Sequence, residues 1–169
     1  MVGALGKQAA VGKAIQLKFA TVLGAQSNES AFKIAVPLTF MNESGQAIEE
    51  LLAQCEVDVE QLLVVFDDSD LPFGRLRVRA GGSDGGHKGM RSIIETIRSD
   101  QFPRLRVGIG RPADDSDEAL DQYVLAPFDE TQRQALPRLM EQSVAACVYW
   151  AMHGTEQTMN HFNNQKVCD

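Results

Sequence analysis

Residues 75–110 read "RLRVRAGGSDGGHKGMRSIIETIRSDQFPRLRVGIG". Strict alternation in "RLRVR" has the period of a strand and sends Arg75, Arg77 and Arg79 to one face, with Leu76 and Val78 on the other. A loop with glycines at 81, 82, 85, 86 and 89 follows. "MRSIIETIRSD" then carries a helical pattern, and "LRVGIG" returns to strand with Arg106 opposed to Leu105 and Val107. Strand, helix, strand predicts an α/β unit with a right-handed crossover, and hence a mixed sheet flanked by helices.

On the N-terminal side, the short apolar run "LLVVF" at 62–66 reads as a strand buried on both faces rather than an edge strand, and it ends in the acids of "DDSD". "NESGQAIEELLAQ" spaces Ile48, Leu51 and Leu52 as a helix does, with Asn42 or Ser44 as its cap. "LKFATVL" and "FKIAV" form a hairpin-like pair of strands, and Val2 to about Ile15 has a helical pattern. On the C-terminal side, "DETQRQALPRLMEQSVAACVYWAMHG" is one long amphipathic helix, opened by a D-x-x-Q cap at Asp129 and ended near Gly154. With 169 residues and no linker or repeat, the expectation is a single domain over 1–169.

Composition narrows the function. No apolar run of 18 residues appears, so neither a membrane span nor a signal peptide is expected, and the chain reads as cytoplasmic. Cys55, Cys147 and Cys168 lack the spacing of a zinc site or a disulfide framework. The formal net charge is −7, yet residues 71–112 carry nine Lys and Arg against three acids, a local +6 that leaves −13 on the remainder. Such an island steers an anion to one face.

Three stretches carry candidate chemistry. The glycine loop leads into a helix, where free backbone N–H groups suit an anion. Its spacing fits neither the phosphate loop G-x-x-x-x-G-K-S/T nor a dinucleotide fingerprint, and by itself it signals only close backbone approach or a tight turn. Asp67, Asp68 and Asp70 follow a strand at the end where open α/β sheets place ligands, so at least one is a functional candidate, although an Asp-rich turn reads the same way. Asn42 caps a helix or holds a ligand carbonyl or a water. Of the histidines, His87 lies in the glycine loop, while His153 and His161 near the C-terminus suit caps or surface positions. No serine or cysteine sits in a G-x-S-x-G elbow, so covalent catalysis is not indicated.

Taken in order, "PLTFMNESG", "VVFDDSDLPFGRLRVRAGGSDGGHKGMRSI", "FPRLRVGIGRP" and "DQYVLAPF" resemble the bacterial-type peptidyl-tRNA hydrolases, from about residue 17 to residue 162. The resemblance implies a monomeric α/β enzyme that hydrolyses the ester between peptide and tRNA without metal or cofactor. Asn42 and Phe40 match the pair that contacts the acceptor end beside the reacting ester, and Asp67 matches the acid that holds the catalytic histidine. Arg79 and Arg106 match a phosphate clamp, with Arg77 on the same strand face, and His87 and Lys88 belong to the loop against which the acceptor end lies. Two departures follow from the same comparison. Lys88 stands where the family has an asparagine, and a lysine cannot accept a hydrogen bond. The family's opening strand and general-base histidine have no match, since no histidine precedes His87. The expectation is thus an N-terminally incomplete member. Its alternatives are a non-catalytic RNA-binding homologue and, further off, a nucleotide-binding module.

Overall fold

The computed structural model describes residues 10–16, 18, 20–26, 31–112 and 116–165. The chain divides into two compact units, one formed by residues 1–63 and 80–103, the other by 64–79 and 104–169. Together they give an α/β fold whose sheets include both parallel and antiparallel pairs.

In the first unit, β1 (Ala10–Gln16), β2 (Ala20–Gln26) and β3 (Ala31–Pro37) form an antiparallel sheet in that order. The hairpin expected around "LKFATVL" and "FKIAV" is the β2–β3 pair. Residues 10–15, expected to be helical, are strand instead, because Val11, Gly12 and Ile15 weaken the helical propensity of the stretch and pairing with β2 supplies a ladder partner. The rest of that expected helix, residues 2–9, lies outside the described residues.

Helix α1 (Ser44–Cys55) follows a single 3₁₀ turn at Met41–Glu43 and buries Ile48 and Leu51, with Leu52 half-buried. Neither Asn42 nor Ser44 caps it. The intervening turn puts Glu43 at the cap position without a side-chain bond, and Ser44 Oγ donates to Met41 O at 2.8 Å. Helix α2 (Lys88–Ile97) crosses α1 at Gly45, whose N–H donates to Ser92 Oγ at 3.0 Å. A Cβ on Gly45 would stand 2.1 Å from Thr96 Oγ1 and 2.4 Å from Ser92 O, so only glycine permits this crossing.

In the second unit, β4 (Val64–Asp68), β5 (Leu76–Arg79) and β6 (Arg104–Gly108) form a sheet in the order β4-β6-β5. β4 runs parallel to β6, and β5 antiparallel to it. The expected crossover between β5 and β6 therefore does not form. The turn closed by Arg75 N to Pro72 O at 3.1 Å, with Gly74 at φ 81°, reverses the chain after β4, so the strand that emerges opposes the parallel pair. The parallel relation passes to β4 and β6. Among the described residues β4 pairs with β6, and Val64 to Asp67 are half-buried, less covered than the strand buried on both faces that the apolar run suggested.

Helix α3 (Asp117–Leu125), capped by Ser116, was not anticipated. Helix α4 (Glu130–Phe162) begins with the expected box, in which Gln132 N donates to Asp129 Oδ1 at 2.8 Å and Asp129 N donates to Gln132 Oε1 at 3.1 Å. Gly154, at φ 76° and ψ −179°, interrupts it where an end was expected, and a second helical stretch continues to Phe162. That extension places Asn163 along the outer edge of β5. Val78 N donates to Asn163 Oδ1 at 2.7 Å, and Asn163 Nδ2 donates to Val78 O at 3.1 Å, so one amide side chain satisfies an edge backbone position as a neighbouring strand would. The core of this unit includes Leu76, Val78, Leu105, Val107, Leu139, Val144 and Phe162.

Candidate functional site

The candidate residues divide between the units: Asp67, Arg77, Arg79 and Arg106 in the second, Phe40, Asn42, His87 and Lys88 in the first. In the second unit the alternation holds as expected. Along β5 the residues are buried, exposed, buried, exposed, so Arg77 and Arg79 stand on the surface. The antiparallel register sets Arg77 directly opposite Arg106, and Arg79 opposite Arg104. Directly opposed residues share a face, so four guanidinium groups line one side of a two-strand ladder. Arg104 had been only one charge in the basic island; the repeated R-L-R was the signal that it shares the face of Arg106. Its side chain is 2% exposed. Arg77 and Arg79 make no ion pair among the described residues.

The three acids of "DDSD" separate into distinct roles. Asp68, buried, accepts Arg106 Nε–H on Oδ2 and the N–H of Asp70 on Oδ1 at 2.8 Å. Asp70 is exposed and pairs with Arg111 at 3.0 Å. Asp67 lies at the carboxyl end of β4 in register with Val107, on the opposite side of the strand from Asp68. Backbone bonds lace this turn to the end of β6: Ile109 N to Asp68 O at 3.1 Å, Gly110 N to Leu71 O at 3.0 Å, and Gly108 N to Arg75 O at 2.7 Å. Among the described residues no three His, Cys, Asp or Glu side chains are grouped to hold a metal ion.

In the first unit, the glycine loop is organised by Asp84. Its Oδ1 accepts Gly86 N at 2.7 Å and meets Arg91 Nη2 at 3.5 Å, while its carbonyl accepts His87 N at 3.0 Å. The glycines fall into two kinds. Gly82, Gly85 and Gly86 have φ of 137°, 58° and 81°, with nothing among the described residues within 4 Å of where a Cβ would point. They are glycine for backbone conformation, and their outward side is open. Gly81 and Gly89 are glycine for space, with a Cβ falling 2.8 Å from Asp100 O and 2.6 Å from Met41 Sδ respectively. The second contact draws the Phe40–Asn42 segment to the loop, because Met41 lies between those two candidates. Phe40 is 79% exposed, and Asn42 and Lys88 are exposed as well.

His87 caps α2, its Nδ1 accepting Met90 N at 3.1 Å, which fixes that nitrogen as the unprotonated one. His153 and His161 both pack on Tyr149, with ring centroids 4.2 Å and 4.9 Å away. The Cys147 thiol is pushed up to about 12 by burial, so it is not a nucleophile near neutral pH.

Comparison with known proteins points in one direction. The sequence model of the family described as "Peptidyl-tRNA hydrolase" matches residues 1–169. A peptidyl-tRNA hydrolase of Syntrophomonas wolfei is 42% identical over 136 residues, covering 80% of this chain and 72% of the relative. One from Synechococcus sp. is 43% identical over 131 residues, 78% of this chain but 57% of the relative's length. Among solved structures, the peptidyl-tRNA hydrolase of Acinetobacter baumannii superposes with a TM-score of 0.85 over 99% of this chain and 84% of that one, at 24% identity, a likeness of fold.

Proposed function

The chain belongs to the peptidyl-tRNA hydrolase family, and on that footing we propose that it cleaves the ester between a peptide and the 3′ end of tRNA, releasing both. The observation that carries the reading is the arginine face of β5 and β6 in a chain whose net charge is −7. A substrate covered in phosphate explains a concentrated cationic ladder on an acidic protein, and phosphate contacts hold the substrate without reading its sequence, as an enzyme for many tRNAs requires. Arg77, Arg79 and Arg106 take phosphates in this reading. Phe40 offers an exposed ring on which a terminal base stacks, and the Asn42 amide holds the acceptor end beside the ester. Lys88 and the open side of the glycine loop receive the same end of the substrate, and His87 keeps that loop in shape.

Ester hydrolysis at neutral pH needs a base to take a proton from water and a carboxylate to orient that base. Asp67 is the carboxylate. The protein acts as a single domain and a monomer in the cytoplasm, which a one-to-one mass for the protein–tRNA complex would check.

The test is release of labelled peptide from peptidyl-tRNA by the 169-residue chain and by the chain extended with the codons in frame upstream of Met1. Release by either, lowered about 10²–10⁴-fold by Asp67→Asn while tRNA affinity holds, bears out the reading. Tight tRNA binding with no release from either overturns hydrolysis and leaves the RNA-binding reading.

A further inference from the structure

Of the three acids that follow β4, Asp68 is the buried one, at 8% exposure, and it is spent on an arginine. Its Oδ2 accepts Nε–H of Arg106, the inner edge of the guanidinium, while Oδ1 is held by Asp70 N at 2.8 Å. The carboxylate is thus fixed from both sides. Its own backbone is tied to the end of β6 through Ile109 N to Asp68 O at 3.1 Å, so donor and acceptor ride on one laced segment. The Arg106 side chain makes no other hydrogen bond among the described residues and is 25% exposed. The two Nη groups are left without a hydrogen-bond partner among the described residues. Arg77, directly opposite in the ladder, is exposed and has no such anchor, and a like charge there would push an unpinned Arg106 away.

We propose that Asp68 is a positioning residue for anion binding: it pins Arg106 through Nε so that both Nη groups present a ready fork to an RNA phosphate. The inference rests on the reading of Arg106 as a phosphate ligand. Physically, the gain is preorganisation. A free arginine loses rotamer freedom when it takes a phosphate, and Arg106 has given that freedom up before the substrate arrives. An opposing effect sets the sign of the test, because the Asp68 charge also lowers the local potential that attracts phosphate.

Binding of uncharged tRNA at several salt concentrations separates the two. If Asp68 acts through Arg106, Asp68→Asn weakens binding by about tenfold, the scale of one charge-assisted hydrogen bond. That loss disappears in an Arg106→Ala background and persists in an Arg79→Ala background, the pattern a double-mutant cycle reads as coupling. Asp68→Glu, which keeps the charge, recovers part of the affinity and carries the cycle if Asp68→Asn melts below the assay temperature. Tighter binding by Asp68→Asn, or an equal loss with and without Arg106, overturns the positioning role. An Arg106→Ala variant with unchanged affinity and salt slope overturns the phosphate reading of Arg106 itself, whereas a weakened Arg106→Ala without coupling to Asp68 leaves that reading standing and removes only this inference.

Discussion

The arginine face of β5 and β6 and the glycine loop ahead of α2 are built by opposite rules. On the first, long cationic side chains do the work, and a regular backbone sets their spacing at one residue in two. In the second, side chains have been removed, and a backbone with three positive φ angles is left open on one side. The difference teaches where each region is vulnerable. A strand face tolerates changes in its side chains with little cost to folding, because exposed cations contribute little to stability. A loop of positive φ tolerates almost no change without strain.

Substitutions can break that contrast or sharpen it. The largest effect is expected where the arginine ladder depends on a glycine after all. A Cβ at Gly108 would fall 2.2 Å from Pro72 O and 3.0 Å from Arg75 O, both backbone atoms of the laced turn. Gly108→Ala should therefore destabilise the protein by about 3 kcal/mol, the upper range for overpacking, measured as the urea midpoint. An unchanged midpoint would show that the turn yields easily and that the ladder is less rigid than its bonds suggest.

Next comes Asn163→Ala, which strips both partners from the Val78 backbone. A loss of about 2 kcal/mol is expected from unsatisfied groups at a half-buried edge, with hydrogen exchange accelerating at Val78 before the rest of the sheet. Uniform exchange would mean that the edge is held by packing alone.

Gly86→Ala tests the loop. With φ at 81° and open space around the new methyl, the cost is conformational only, about 1–2 kcal/mol. Under the proposed function, tRNA affinity drops as well, since the methyl occupies the open side. Affinity that holds while stability falls would separate the loop's shape from any role in binding.

The smallest change in stability belongs to Arg79→Ala. Urea midpoints should agree within error, while the slope of log affinity for tRNA against log salt falls by about one. A slope that does not move would remove Arg79 from the proposed phosphate clamp.

Much of the arginine face was legible in the sequence. Alternation in "RLRVR" gave the face of Arg77 and Arg79, and "RLR" at 104–106 gave that of Arg106, because side-chain direction in a strand is a local property. The roles proposed for Asp67, Asn42 and Phe40 came instead from family resemblance. Asp68 was not separable from Asp67 and Asp70, since three aspartates within four residues share every local cue. Which one meets an arginine 38 positions along the chain is decided by register between β4 and β6.

What the sequence determined by itself was therefore periodic and local: α2, the Asp129–Gln132 cap, an interruption near Gly154 that it marked as an end, and the α/β class. The tertiary structure decided which strands pair and in which direction, turning residues 10–15 from apparent helix to strand and β5 antiparallel to β6. It also brought Asn163 back across 85 residues to close the edge at Val78. Periodicity records which side of an element is buried, through sterics that reach only a few residues. A hydrogen-bond partner on another strand leaves no such mark, and its identity exists only once the chain has returned on itself.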